Sequence, residues 1–102
     1  MSKTRLEMVA RAHRVLGLLA TDEDPTADMI AFAGSALEGA IEELAYIQGV
    51  NVSFDADSVP EELFLPVGDL LAAEIADHYS VPGPIRSRAI GRIRANLACD
   101  DR

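Results

Sequence analysis

The sequence predicts an all-α fold, a four-helix bundle that forms a single domain over residues 1–102 and has a long central second helix. Apolar residues recur at the spacing of a helix face in four segments. Proline or glycine stands beside the boundaries between these segments, where such residues begin and end helices. A chain of 102 residues, of which 49% are apolar and 25% charged, is typical of one globular domain.

The first predicted helix covers residues 3–20. Ser2 can cap its N-terminus, and the apolar residues that follow lie on one face at helical spacing. His13 lies on the flank of this face, which predicts a histidine at the edge of the core. The residues of the apolar face are Met8, Val9, Ala12, Val15, Leu16 and Leu19.

Residues 20–28, ATDEDPTAD, separate the first two helices. Their acids suggest a cation site. A calcium loop that began at Asp22, however, would need glycine at its sixth position and glutamate at its twelfth. Ala27 and Ala33 occupy those places. A proline disfavours helical geometry in the residue before it, so the first helix should end before Pro25. Thr26 can then cap the helix that follows. The stretch therefore predicts an acidic turn between two helices and no metal site.

The second predicted helix, residues 27–48, has two non-polar faces. One is a core stripe that includes Leu37 and Leu44. The other places two aromatic residues beside small ones. This pattern predicts a helix that is either central in its own fold or central and half-exposed to a partner. The second face consists of Phe32, Ser35, Gly39, Glu42 and Tyr46.

Residues 49–66 connect the second helix to the third. Gly49 is suited to end the second helix. Val52 and Phe54 belong to a short alternation of apolar and polar residues, which predicts an extended arm or a short β-hairpin loop. A connection of this length is usually functional or disordered, and the apolar residues at positions 63–65 argue against disorder.

Two shorter helices complete the predicted bundle, over residues 67–79 and 85–98. Pro66 can begin the third helix, and His78 lies near its end, where a cation interacts favourably with the helix dipole. In the fourth helix the apolar residues are expected to face the core and the arginines to lie on the flanks. These apolar residues are Ile85, Ala89, Ile90, Ile93 and Leu97.

Residues 70–94 are also compatible with a helix-turn-helix, which would make the chain a small DNA-binding regulator. An arginine-rich second helix suits a reader of the major groove. Against this alternative, Ser80 stands where glycine is favoured, and Pro82 and Pro84 stiffen the turn. The net charge of -8 would also repel DNA.

Basic and acidic residues are segregated along the chain. Residues 15–85 contain no Lys or Arg but carry most of the acids, so the basic residues lie at the two ends. This pattern predicts that the basic ends pair with the acidic middle, either within one chain or between copies of it.

Further features limit the class of function. Cys99 is the only cysteine, which excludes an intramolecular disulfide and suits a reducing compartment. No apolar run approaches the ~18 residues of a membrane span, and no secretory leader is evident, so a soluble, unprocessed chain is expected. Neither histidine lies beside a nucleophile in a recognisable motif, and phosphate-binding glycine loops are missing. We therefore expect neither an enzyme nor a cofactor.

The helix boundaries carry a family resemblance. Leu16 and Gly17 close the first helix, and Pro25, Thr26 and Ala27 open the second after an acidic turn. A Leu-Pro pair precedes the third helix, which ends in an acid-aromatic sequence. The pattern resembles the head-tail connector (adaptor) proteins of tailed double-stranded DNA phages, including the tail accessory factors of short-tailed phages and the head-tail adaptors of long-tailed phages. The matching stretches are ARAHRVLGLLATDEDPTADM, SALEGAIEEL and LFLPVGDLLAAEIADHYSV.

The resemblance implies a structural virion protein of a phage, a prophage or a gene transfer particle. Such a protein lies at the head-tail junction of the virion, and in the cytoplasm of the host cell during assembly. It forms a homo-oligomeric ring, typically a dodecamer, that binds the portal protein and extends the DNA channel. The ring offers a platform for the next tail or stopper component, and DNA passes through it as non-specific cargo. The resemblance implies no catalysis, metal, cofactor or membrane.

The same resemblance selects candidate interface residues. Those on the second face of the second helix are expected at subunit or helix–helix contacts, and two phenylalanines are expected to anchor the arm. Two arginines are expected to pair with acids of an adjacent copy, such as those of the acidic turn. In this order, the candidates are Phe32, Gly39, Glu42 and Tyr46, then Phe54 and Phe64, then Arg88 and Arg92, then Asp22, Glu23 and Asp24.

Overall fold

The computed structural model describes residues 2–20, 22–46, 49, 52 and 54–100. Within these residues, four α-helices provide most of the structure, which confirms the all-α prediction. The elements in chain order are β1 (Ser2–Lys3), α1 (Arg5–Val15), α2 (Ala27–Tyr46), β2 (Val59–Pro60), a short 3-10 helix (Glu61–Leu63), α3 (Phe64–Tyr79) and α4 (Arg86–Asp100).

The core is centred on α3. This helix packs against each of the other three, most extensively against α1 and α4. Sequence periodicity placed α2 at the centre, and that expectation is wrong: α2 is the longest helix, but much of its surface is exposed. The physical reason is that α1, α2 and α4 all pack against α3, so that α3 is buried on more sides than α2. Its buried residues are Pro66, Val67, Gly68, Leu70, Leu71, Ala72, Ile75 and Ala76.

α1 begins later than predicted, because Thr4 and not Ser2 caps it. The Thr4 side-chain oxygen accepts a hydrogen bond from the Glu7 backbone N–H at 3.3 Å. In return, the Glu7 carboxylate accepts one from the Thr4 backbone N–H at 3.1 Å. This reciprocal arrangement is a capping box, which satisfies two backbone donors that the helix itself leaves unpaired.

α1 ends at Val15 and not at residue 20 as predicted. The chain leaves the helix at Gly17, whose φ of 77° lies in the left-handed region that favours glycine. The Gly17 N–H donates to the Arg14 carbonyl at 3.0 Å, and the Leu18 N–H donates to the His13 carbonyl at 2.9 Å. These two bonds form a Schellman motif, which satisfies carbonyls in the last turn.

α2 begins at Ala27, as predicted, because Thr26 caps it. The Thr26 hydroxyl accepts a hydrogen bond from the Met29 backbone N–H at 3.2 Å. Residues 47 and 48, which complete the predicted range, lie outside the described residues. Gly49 has a φ of 69°, the conformation expected of a glycine that follows a helix.

The described part of the predicted arm or hairpin folds onto the core. Asp55 and Ser58 form a β-bridge across a tight turn, in which the Asp57 N–H donates to Asp55 Oδ1 at 3.0 Å. β2 then pairs antiparallel with β1, and its Val59 is fully buried. The segment therefore combines a hairpin-like turn with a strand that pairs with the N-terminus. Residues 50, 51 and 53 lie outside the described part of the chain.

α3 begins at Phe64, earlier than the predicted residue 67, because the 3-10 helix leads directly into it. Pro66 consequently lies in the first turn, where its missing N–H leaves no helical bond unmade. At the other end, Ser80 has a φ of 55°, and the Val81 N–H donates to the Ala76 carbonyl at 3.2 Å. This is a second Schellman motif, with serine in the place that glycine favours.

Candidate functional site

An aromatic cluster joins α2 to the last turn of α3. The half-buried ring of Phe32 stacks on the His78 imidazole, with ring centroids 4.0 Å apart and an interplanar angle of 29°. The Tyr79 ring is nearly perpendicular to both rings, with its centroid 6.1 Å from that of Phe32 and 5.0 Å from that of His78. Phe32, a candidate for a subunit or helix–helix contact, thus makes a helix–helix contact within the chain.

His13 extends the aromatic cluster into α1. Sequence spacing predicted a histidine at the edge of the core, but the side chain is fully buried. Nδ1 lies 2.8 Å from the Val9 carbonyl oxygen, and Nε2 lies 2.9 Å from the Tyr79 hydroxyl oxygen. A carbonyl only accepts, so we assign the hydrogen of the neutral ring to Nδ1, and Nε2 accepts from Tyr79. This arrangement satisfies both ring nitrogens and gives His13 a structural role.

The C-terminal half of α2 is a different surface. Gly39 and Glu42 are exposed, and Tyr46 is 85% exposed. A Cβ added at Gly39 would meet no atom within 4 Å. These three candidate contact residues therefore lie on an open face of the molecule, whereas Phe32 on the same predicted face is covered by α3.

The basic N-terminal end pairs with the acidic middle within the chain. Arg5 Nη1 lies 2.5 Å from Glu38 Oε1, and Arg5 Nε lies 2.9 Å from Asp57 Oδ1. Hydrogen bonds to Asp57 and then to Glu38 raise the pKa of Arg5 above its ordinary value. Gly34 permits this crossing, because a Cβ there would lie 3.2 Å from Arg5 Cδ. Arg5 thus connects α1 to α2 and to the turn before β2.

The basic C-terminal end pairs in the same way. Arg86 forms ion pairs with Glu43 of α2 and Glu74 of α3, the second with Nε 2.5 Å from Oε1. Burial raises the pKa of Glu74. Of the two arrangements that the sequence left open, pairing within the chain accounts for most of the described basic residues. Further pairs are Lys3–Glu7, Lys3–Glu61, Arg11–Asp69 and Arg92–Asp69.

A groove of about 460 Å³, here called the α4 groove, lies where the turn before α4 meets α3. Arg92 lines it, but Arg92 Nη1 already donates to Asp69 Oδ2 at 2.9 Å. Ile85, expected to face the core, precedes α4 and is 56% exposed at the groove. Arg88 also lines the groove and is exposed, and its guanidinium has no hydrogen-bond or ion-pair partner among the described residues.

Asp22, Glu23 and Asp24, here called the acidic corner, are exposed. Arg14, which contacts the backbone of this turn, does not neutralise them. Arg14 donates instead to backbone carbonyls, that of Ala20 at 3.3 Å and that of Glu23 at 3.0 Å. The Glu23 carboxylate accepts from the Ala20 N–H at 3.0 Å. Among the residues that the structure describes, no basic side chain forms an ion pair with the acidic corner.

Phe54 and Phe64, the candidates for anchoring the arm, are half-buried and pack against the core. Lys3 Nζ lies 4.9 Å above the centre of the Phe64 ring, a cation–π contact. The two phenylalanines therefore lie before and after β2 in the chain, and both fix this segment to the core.

The helix-turn-helix alternative has fewer available cations than the sequence suggested. α3, the following turn and α4 span the candidate residues 70–94. Arg86 is bound to Glu74, and Arg92 to Asp69. These arginines would have to leave their acids before they could neutralise phosphates. Asp69 was not anticipated from the sequence, because nothing local signals a partner 23 positions from Arg92.

No group of three or more His, Cys, Asp or Glu residues that could hold a metal ion is found in the described ranges. None of the helices described for this chain is both long and apolar enough to cross a membrane. Comparison of the chain with family models, curated proteins and solved structures found no match in any of the three.

Proposed function

We propose that this chain is a head-tail connector (adaptor) of a tailed phage or of a phage-derived particle. In this proposal the subunit is a four-helix bundle that assembles into a ring, a dodecamer, beneath the portal at the head-tail junction of the virion. The ring extends the channel, through which DNA passes as non-specific cargo. Its outer face is the platform for the next tail or stopper component.

The observation that carries the proposal is that the residues of the family resemblance lie at the ends of helices. Gly17 closes α1 with a positive φ, and Thr26 caps α2 through its hydroxyl. The exposed acidic corner lies between them, and Pro66 lies in the first turn of α3. The residues that carry the resemblance are therefore among those that define the helix ends of this chain.

The exposed end of α2 supports assembly with other molecules. Tyr46 is 85% exposed, and no atom lies within 4 Å of a Cβ placed at Gly39. Tyrosine combines an apolar ring with a polar hydroxyl and is enriched in protein interfaces. Gly39, about two turns earlier on the same helix, lets the backbone of a partner approach closely. We assign this surface to a contact with a neighbouring subunit or with the portal.

The proposal is tested by purifying the protein alone and together with the portal protein encoded beside it, followed by electron microscopy. We expect rings, free or bound to the portal. The gene should lie just downstream of those for portal, protease and capsid. A compact dimer that shifts a specific DNA duplex at physiological salt would contradict the proposal and support the helix-turn-helix alternative.

Matched variants test the assigned surface. Tyr46→Ser should weaken ring formation or portal binding and leave the melting temperature unchanged, because the side chain makes little contact within the subunit. Ala31→Ser changes an exposed residue near the other end of the same helix and is the control. Equal assembly of the two variants would remove the exposed end of α2 from the proposal.

A further inference from the structure

The α4 groove has the composition of a binding surface. Ile85 offers an exposed apolar side chain, and Arg88 offers a guanidinium without a partner among the described residues. The Arg92–Asp69 pair lies in the same groove. Arginine is enriched at protein interfaces, where its guanidinium can form bidentate hydrogen bonds to carboxylates.

Arg88 differs from six other basic residues of the described chain, whose side chains all have partners within the molecule. Lys3, Arg5, Arg11, Arg86 and Arg92 each pair with acids of their own chain, and Arg14 bonds backbone carbonyls. Within the fold, therefore, nothing described accounts for the charge of Arg88. Its place beside Ile85 in a concave surface indicates an external acidic partner.

The chain itself supplies a segment of matching chemistry. The acidic corner is exposed and lacks a neutralising cation among the described residues, although Arg14 lies close to its backbone. Among the described residues, no ion pair joins this corner to Arg88 of the same molecule. Each subunit therefore carries an acidic corner without an ion-pair partner and a groove with an unpaired guanidinium, which are two different patches of complementary charge. Such a pair produces the heterologous contacts that repeat around a ring.

We propose that the α4 groove receives the acidic corner of a second copy of this chain, with Arg88 paired to the carboxylates of Asp22 and Asp24. The inference rests on the proposed function and names the contact by which neighbouring subunits of the ring meet. Ile85 packs against the backbone of the incoming corner. Arg92 stays bound to Asp69 and shapes the wall of the groove.

Charge reversal tests this contact. Arg88→Glu, the pair Asp22→Lys and Asp24→Lys, and the triple variant that combines them are compared with the unaltered chain. Self-association is measured by sedimentation velocity, alone and with portal protein, at about 50 mM and about 500 mM salt. Arg88→Lys preserves the charge, and Glu62→Lys is a control for the change in net charge at an exposed acid elsewhere.

We expect the Arg88 and acidic-corner variants each to weaken self-association by at least about tenfold at low salt, with less effect at high salt. The triple variant should recover most of the loss, because the reversed charges again attract. Undiminished assembly of Arg88→Glu, or no recovery in the triple variant, would overturn this contact and leave the ring proposal standing. If the unaltered chain assembles neither alone nor with portal protein, the adaptor proposal itself fails, and this contact with it.

Discussion

His13 Nε2 lies 2.9 Å from the Tyr79 hydroxyl oxygen, and this hydrogen bond joins α1 to the last turn of α3. The two rings meet edge to face, with centroids 5.4 Å apart and an interplanar angle of 73°. Tyr79 also contacts Phe32 of α2. A single tyrosine thus connects three helices, and it satisfies a ring nitrogen that is fully enclosed.

Tyr79→Phe should destabilise the fold by about 1–3 kcal/mol, because it leaves Nε2 of buried His13 without a hydrogen-bond partner. The other tautomer gives no rescue, since Nδ1 needs its hydrogen for the Val9 carbonyl. Chemical denaturation measures the loss. Tyr46→Phe, at a position 85% exposed, is the control and should change stability by less than about 0.5 kcal/mol. Equal stability of the two variants would show that the buried bond contributes nothing.

Ser80→Gly should stabilise the fold by about 1 kcal/mol, because Ser80 has a φ of 55°, where any side chain is strained. For a domain of this size such a gain raises the melting temperature by roughly 4–8 °C. Ser35→Gly is the control and should destabilise the fold. This exposed serine lies inside α2, where glycine costs about 0.5 kcal/mol relative to serine. A lower melting temperature for Ser80→Gly would contradict the Schellman ending of α3.

Gly83→Ala should destabilise the fold by about 1–3 kcal/mol through overpacking. A Cβ at this position would lie 2.8 Å from the Cβ of Ala76 and 3.4 Å from Cδ2 of Leu16. Gly91→Ala is the matched substitution in open space, since nothing lies within 4 Å of its added Cβ. It should stabilise α4 by about 1 kcal/mol. Thermal unfolding should show a lower melting temperature for Gly83→Ala and a higher one for Gly91→Ala than for the unaltered chain.

Glu7 should make stability depend on pH in the acid range. The hydrogen bond from the Thr4 backbone N–H lowers the pKa of Glu7 below its ordinary value of 4.5. The folded chain therefore binds this proton less tightly than the unfolded chain. The resulting stability is complete above the ordinary pKa and is lost as pH falls through the lowered one.

In Glu7→Gln this titration is absent. The difference in unfolding free energy between the unaltered chain and Glu7→Gln should therefore shrink as pH falls below 4.5. Denaturant titrations at several pH values measure it, with Glu62→Gln as a control outside the capping box. A difference that stays constant with pH would exclude the charged capping box as its source.

Local features of the sequence determined the helical segments and several of their ends. Thr26 caps α2 as predicted, because a cap requires only the threonine hydroxyl and a backbone N–H three residues later. Boundaries were missed where two local signals compete. Thr4 caps α1 in place of Ser2, because Glu7 completes the capping box from Thr4. The glycine at position 17 ends α1 although apolar residues continue beyond it.

What the sequence by itself determined, then, is the all-α class, the helix-ending turns and the segregation of charge. Only the tertiary structure decided which charges meet, because Arg5 and Asp57 are 52 positions apart and nothing between them encodes the pairing. It also decided that Phe32 is covered and Tyr46 is exposed, although both belong to one predicted face of α2. Helical spacing specifies which residues share a face, but a face becomes core or surface only through the neighbouring helix that covers it.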